Sequence, residues 1–373
     1  MKSALFNIPE NQIYLCGHSL GPASKYAIAS LHQGIDGWQQ EKVSGWSTKE
    51  WLALPEKCGK TLAPLIGANI DEVIVADSTS VNLLKCLLVA VNLNPRRSII
   101  LTEHDNFPAD RYIAHSLSAM NEAITLKSVG THELIDALDE TVAVLMLTHV
   151  NYRSSNMHDM ALLTQKAQAL GIIVVWDLSH SVGAMPLSCS LLGVDFAVGC
   201  TYKYLNGGPG SPGFIFVARK HHDQMPVLKG WMGHEEPFAF LENYRPAPGI
   251  KAYLTGTPSI LSLTALEGAL EVFHSVDLVQ LRQKSMAISQ QLIESIESRI
   301  PALTLVSSRD PKARGSHVAF THPMADKIVE ALIANGVIVD YRAPGLIRFG
   351  IAPLYIESQD IEKTVQLLVK LMG

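Results

Sequence analysis

Lys203 stands in the run Tyr202-Lys203-Tyr204-Leu205-Asn206-Gly207-Gly208-Pro209-Gly210, which sets an amine between two aromatic rings and ahead of a glycine-rich turn. A lysine held there out of bulk water can form a Schiff base with a carbonyl. Upstream, Asp177-Leu178-Ser179-His180 follows an apolar run and offers a carboxylate able to keep a ring nitrogen protonated, with an imidazole three residues on. Asp77-Ser78-Thr79-Ser80-Val81-Asn82 opens a helical pattern. Hydroxyls and free N–H groups at a helix start make an anion site. His104-Asp105-Asn106-Phe107-Pro108-Ala109-Asp110 adds an aromatic ring and a second carboxylate.

Each feature has a plainer reading. A lone loop lysine is usually solvated; Tyr202, Tyr204 and the glycines favour burial here. An Asp after an apolar strand is often a helix N-cap. Residues 207–213 are not a P-loop, because no G-K-[ST] follows, and read as a tight turn beside the lysine. His149 and His158 lack the i,i+4 spacing and third ligand of a metal site, so they read as structural. Gly230-Trp231-Met232-Gly233-His234 alone reads as a packed turn.

The elements that must position these residues are short β-rich runs at 73–76, 98–102, 124–129, 142–148, 171–177, 194–199 and 213–218. Most are continuously apolar, as strands are when helices cover both faces of a sheet. A helical stretch at 159–170 has Asp159 as N-cap and Gly171 past its end. Strand–helix alternation implies a mostly parallel α/β sheet, whose ligands bind at the carboxyl ends of the strands. The lysine, carboxylates, ring and helix start all follow such ends. Together they match pyridoxal phosphate (PLP), whose enzymes pair a Schiff-base lysine with an acidic partner for the pyridinium nitrogen. A Pro- and Gly-rich connection at 246–258 precedes a long helical pattern at 259–298. Strands at 304–306, 316–321, 337–341 and 346–350 and helices at 324–335 and 359–371 complete a small α+β unit. The expected plan is an N-terminal segment, 1–45, that contributes to the small domain and the site; a large PLP-binding α/β domain, 46–258; and the long helix with the small domain, 259–373.

Composition sets the outer bounds. The chain has 373 residues, 47% hydrophobic and 17% charged, which supplies a sizeable core and excludes a disordered chain. Net charge is −5 with no run of Lys and Arg, so no nucleic-acid surface is expected. No segment approaches the roughly 20 apolar residues that span a bilayer. Five scattered cysteines, with no C-x-x-C pair, suggest neither a disulfide framework nor a zinc site. A cytoplasmic protein without membrane partners is expected.

Nearly end to end, the chain resembles the kynureninase family, PLP enzymes of fold type I and aminotransferase class V. The landmarks are Tyr14-Leu15-Cys16-Gly17-His18-Ser19-Leu20-Gly21, the runs around Asp77, Phe107 and Asp177, Leu147-Thr148-His149-Val150-Asn151-Tyr152-Arg153, the Lys203 block, Gly230-Trp231-Met232-Gly233-His234, Gly256-Thr257-Pro258 and Leu346-Ile347-Arg348-Phe349-Gly350. The resemblance implies a large domain with a mostly parallel central sheet flanked by helices, plus a small α+β C-terminal domain. It implies Lys203 as Schiff-base lysine and α-proton base, Asp177 on the pyridine nitrogen, and His180 supporting Asp177. Phe107 would stack on the ring. Thr79, Ser80, Tyr202 and Trp231 would hold the phosphate side, with Asp110 and Thr148 near the cofactor. Thr257 would reach the phosphate of the other subunit of a homodimer. Arg348 would grip the substrate α-carboxylate, and Trp46 would lie beside the substrate's aromatic ring. The family usually reads D-G-N-S-L-G where this chain has Cys16 and His18, and the Ser80 position is threonine in some relatives. These departures touch substrate-side detail.

The implied reaction is hydrolysis of the Cβ–Cγ bond of L-kynurenine to anthranilate and L-alanine, with Tyr202 as a proton donor. Thr257, where some relatives carry asparagine, points to kynurenine over its 3-hydroxy form. An aminotransferase would keep Lys203, Asp177 and Arg348. A cysteine desulfurase needs a nucleophilic cysteine in the C-terminal part, and none follows Cys200. A PLP-free interaction protein would have little use for the retained lysine, carboxylate and arginine.

Overall fold

A computed structural model describes residues 4–372. Residues 1–3 and 373, the extremities of the expected outer units, lie outside it. The chain opens with β1 (Ile13–Tyr14), then runs through helices to β2 (Val73–Val75), β3 (Ile99–Glu103), β4 (Thr125–Val129), β5 (Val142–Thr148), β6 (Ile173–Asp177), β7 (Phe196–Gly199) and β8 (Phe214–Val217). β2 to β8 form one sheet in the order β2-β8-β7-β6-β5-β3-β4. Only β8 runs against its neighbours; the other pairings are parallel. The carboxyl ends of six strands and the start of β8 therefore share one edge.

Apart from the edge strand β4, the sheet is buried on both faces, as its apolar runs require. Alternate residues feed two cores: Val73, Val75, Leu145, Leu147, Phe214 and Phe216 on one side, and Ile74, Val144, Met146, Ile215 and Val217 on the other. The helix Thr79–Leu93 covers the second face with Leu83, Cys86, Leu87 and Ala90. Removing a ring such as that of Phe216, fully buried, would cost about 3–5 kcal/mol.

Beyond the sheet, two expectations need correction. The helical pattern at 259–298 is not one helix. It divides into Ile260–Leu270, a short 3₁₀ turn Glu271–Ser275, and Leu278–Arg299. Asp277 makes the break: its side chain caps the second helix by accepting from Val279 N and Gln280 N at 2.8 and 3.2 Å. The strand at 337–341 is likewise two strands in two sheets. β9 (Thr304–Leu305) and β10 (His317–Thr321) precede β11 (Val337–Ile338), β12 (Asp340–Arg342) and β13 (Leu346–Gly350). β11 pairs in parallel with β1, whereas β12 joins the sheet β12-β13-β10-β9. The helix Ala325–Ala334 packs its buried apolar face on β12 and β13, and Ser358–Met372 packs its own on Leu278–Arg299. Among the described residues no helix is long and apolar enough to cross a membrane.

Candidate active site

A cavity of ≈140 Å³ opens on the shared edge of the large sheet. Thr79, Ser80, Phe107, Asp110, Asp177, His180, Tyr202 and Lys203 all line it. Each arrives as the sheet order dictates. Thr79 and Ser80 start the helix after β2, Phe107 and Asp110 the helix after β3 (Pro108–Met120), Asp177 ends β6, and Lys203 follows β7.

On one side the cavity meets the start of helix Thr79–Leu93. Ser78 caps it, its hydroxyl accepting from Val81 N at 3.4 Å. The N–H groups of the first turn have no partner within the helix. Gly213, leading into β8, lies against this turn: a Cβ there would come 2.8 Å from Thr79 N. The missing side chain leaves a cradle of backbone and hydroxyl donors with the chemistry of a phosphate site.

At the floor, Asp177 and Asp110 are buried side by side. Burial and the neighbouring Asp177 push the Asp110 carboxyl well above its usual range, while Thr148 donates to it at 3.1 Å. Asp177 is also raised by burial, against the pull of Lys203 and of Ser179 N, which donates to Oδ1 at 2.8 Å. Two carboxyl groups this close cannot both ionise without a cation between or beside them. A protonated pyridine nitrogen is such a cation, and the donor set fits PLP. His180 has an unpartnered buried Nδ1, and its ring is kept neutral by burial and by the nearby Lys203.

Lys203 projects between rings: its Nζ lies 5.9 Å from the Phe107 centroid and 6.0 Å from that of Tyr202. Among the described residues it forms neither hydrogen bond nor ion pair. Its turn is fixed from several directions. Tyr204 Oη donates to Ser316 O at 2.8 Å, Gly21 N to Tyr202 O at 2.7 Å, and Thr201 Oγ1 to Pro212 O at 2.6 Å. Asn206, Gly208 and Gly210 all have positive φ, the tight turn that the glycine run implies. Burial raises the Tyr202 phenol, with Cys200 adding to the effect, so it keeps its proton.

The remaining expected site residues lie elsewhere. Thr148 sits beneath the cavity, bonded to Asp110 and Asn106. Trp231 packs with Phe238 and Phe240 around a separate, outward hollow. Thr257 is exposed, in another hollow shared with Asp77 and Thr255. Trp46 packs edge-on against Trp51, with centroids 5.5 Å apart.

Arg348, 2% exposed, stands in the small sheet. It forms a two-pronged ion pair with Asp340 and donates through Nη1 to Tyr152 O at 2.6 Å. Burial alone would raise the Asp340 carboxyl; His18 and Arg348 outweigh it and hold it well below the usual range. Behind Asp340 is a column of imidazoles. His18 stacks on His317 at 5.0 Å, and His317 meets His180 at 5.6 Å. His18 is lowered to about 4 by burial and Arg348, so it is neutral. His18 Nε2 lies 3.5 Å from Asp340 Oδ1, and neither nitrogen of His317 has a hydrogen-bond partner among the described residues. Asp340, His317 and Ser179 escape a reading of the sequence. Only Ser179, inside the Asp177–His180 run, had a local signal.

Comparison with known proteins agrees. The family description "Kynureninase C-terminal domain" matches residues 281–368. Kynureninase of Pseudomonas fluorescens is 44% identical, covering 98% of this chain and 91% of its own length. That of Deinococcus radiodurans is 41% identical, with the same coverage. Among solved structures, an apo cysteine desulfurase from Thermococcus onnurineus superposes with a TM-score of 0.82 at 17% identity, covering 98% of both chains. A variant of the enzyme C-DES with glycine covalently linked to its PLP cofactor gives 0.84 at 17% identity, covering 98% of this chain and 97% of that one. At such identity these two establish the fold, the type I architecture of PLP enzymes. With relatives above 40% identity over nearly the whole of both chains, this protein belongs to the kynureninase family, as a PLP-dependent hydrolase of carbon–carbon bonds.

Proposed function

We propose that the chain hydrolyses the Cβ–Cγ bond of L-kynurenine, giving anthranilate and L-alanine. What supports the reading is the meeting of an unpartnered lysine, a crowded carboxylate pair and a phosphate-type helix start in one cavity. Bound PLP supplies a Schiff-base carbon for the substrate amine and a ring that stores electron pairs. Lys203 Nζ takes the proton from the substrate Cα. Asp177 holds the proton of the ring nitrogen, with His180 and Asp110 around it, and Phe107 stacks on the ring. Thr79 and Ser80 bind phosphate oxygens. Tyr202 donates a proton through its phenol. Arg348 orients the substrate carboxylate, a two-pronged task suited to a guanidinium. Trp46 serves the substrate ring.

Trp231 and Thr257 line no part of their own chain's cofactor cavity, and both are accessible. We read them as serving a second copy in a homodimer. Thr257 favours plain kynurenine over its 3-hydroxy form. All five cysteines are free thiols, in keeping with a cytoplasmic enzyme.

Adding L-kynurenine to the PLP-loaded protein tests the reading. Growth of blue anthranilate fluorescence with one alanine per turnover is expected. A PLP-coloured protein that releases a keto acid and no anthranilate would make it an aminotransferase.

A further inference from the structure

A second cavity, of ≈590 Å³, shares no lining residue with the cofactor cavity and takes no part in the chemistry above. Both halves of the molecule build it. His149 and residues 157–160 follow β5, several residues between 185 and 192 follow β6, and Arg282 and residues 310, 312 and 313 come from the C-terminal unit. Its wall is apolar, made of Met157, Met160, Met185, Leu187 and Leu192. Most of its polar groups are engaged. His149 Nδ1 lies 2.8 Å from Ser181 Oγ, and His158 Nε2 lies 2.7 Å from Glu103. Asp159 accepts from Leu162 N and Asp310 from Lys312 N, each at 2.9 Å.

The exceptions are cations. Arg282, 9% exposed, donates through Nη1 to Gly315 O and Ser316 Oγ, and through Nη2 to Pro311 O and Arg314 O. All four acceptors are neutral. Among the described residues its Nε–H has no hydrogen-bond partner, and no carboxylate pairs with it. Lys312, exposed at the rim, has no ion-pair partner either. Next to Arg282 lies Arg314, fully buried, whose guanidinium donates only to Ser308 O, Arg309 O, Ser289 Oγ and Gln290 Oε1, all neutral. Burial and Arg282 lower Arg314 to about 10; Asp310 pulls the other way without reaching ion-pair distance. A buried charge is costly unless paired, and here two guanidiniums stand together with no acid bonded to either.

We propose that this cavity binds a small aryl carboxylate, the class to which anthranilate belongs, and that its occupancy slows turnover. The carboxylate answers the Arg282 Nε–H and the Lys312 ammonium. The ring answers the apolar wall, whose three thioethers favour an aromatic body. Two contacts carry the effect on turnover, which rests on the proposed function. Ser181, bonded to His149, follows His180, which lines the cofactor cavity. A ligand held by Arg282 and Lys312 and packed on the Met and Leu wall also ties the C-terminal unit to the large domain, and domain movements of this kind commonly set the rate of product release.

Equilibrium dialysis of anthranilate against the PLP-loaded protein counts the sites, and inhibition at saturating kynurenine reads the effect. The parent should bind anthranilate at a site outside the cofactor cavity and lose about fivefold in kcat when that site fills. Benzoate should displace anthranilate from it; inorganic phosphate should not. Lys312→Glu, at the exposed rim, should weaken the site about 10-fold with KM for kynurenine and melting temperature unmoved. Leu187→Trp, which fills the cavity, should remove the site and the kcat effect together. A Lys312→Glu protein that keeps the parent's affinity overturns the proposal, and so does phosphate displacing anthranilate as well as benzoate does. A parent that makes anthranilate but is inhibited by it only in competition with kynurenine, with no site beyond the cofactor cavity, overturns the proposal and leaves the proposed function standing. A chain that makes no anthranilate overturns the proposed function, while dialysis still reads the Lys312-dependent site.

Discussion

The cofactor cavity and the arginine corner both bury charge, in opposite ways. In the cavity the protein's own groups do not balance: among the described residues Lys203 has no hydrogen-bond or ion-pair partner, and Asp110 and Asp177 are two acids pressed together. At the corner the charges already match, Arg348 against Asp340 with Tyr152 O completing the fork, and among the described residues it is the neutral imidazole of His317 that lacks hydrogen-bond partners. The first region is complementary to something charged that must arrive. The second is a handle set before anything arrives. An enzyme that must hold its cofactor through many turnovers and release its product each time has use for both.

Lys203→Ala is the severest way to break the contrast. It should end anthranilate formation, a loss on the order of 10³-fold or more, and abolish the lysine–PLP Schiff-base absorption band. A variant that kept the band would remove the lysine from its assigned place.

Asp340→Ala should strike the other region. It leaves the Arg348 charge buried and unpaired, costing about 3–5 kcal/mol of stability. In urea titrations the midpoint should drop sharply. A near-neutral effect would mean that Arg348 is held by backbone carbonyls alone and that the corner is no preset handle.

Acid separates the regions more gently. His18 titrates at about 4 in the folded chain against an ordinary 6.5. Between those values the unfolded chain binds the extra proton. The stability tied to the neutral ring is therefore whole above pH 6.5 and is lost as pH falls toward 4, at about 1.4 kcal/mol per unit per proton. His180 and His317 are lowered in the same sense by burial. Stability measured from pH 7 to 5 should fall steeply, and His317→Asn should make the slope shallower by about one proton. An unchanged slope would show that this column does not carry the acid sensitivity.

Asp110→Asn should do least. Its carboxyl is already raised toward the neutral form, so the amide mimics what is there; stability should change by less than about 1 kcal/mol at pH 7. A loss beyond twice that would mean that Asp110 is ionised and paired in the folded chain.

Legibility in the sequence follows the same division. The cavity residues could be read because each stands just after an apolar run, and parallel strands bring all such positions to one edge. Lys203, Asp177 and Thr79 needed only local context. The corner could not be read. Arg348 is apparent from its family motif, but Asp340, His317 and the carbonyl of Tyr152 reach it from three separate stretches with no shared pattern. The division of 337–341 between two sheets is invisible for the same reason: Val337 and Asp340 differ in what they pair with, which neighbouring residues do not reveal. The break at Asp277 was legible in principle as an N-cap, but apolar spacing on both sides of it masked the signal.

Because Ile13–Tyr14 pairs with Val337–Ile338, roughly 320 residues away, the arginine corner is a late structure in the life of each molecule. Every residue lining the cofactor cavity has been synthesised once Gly213 is made. Arg348 follows on the order of ten seconds later at ordinary rates of translation. A nascent chain thus carries Lys203 and the helix start at Thr79 well before Arg348 and its partner strands are added.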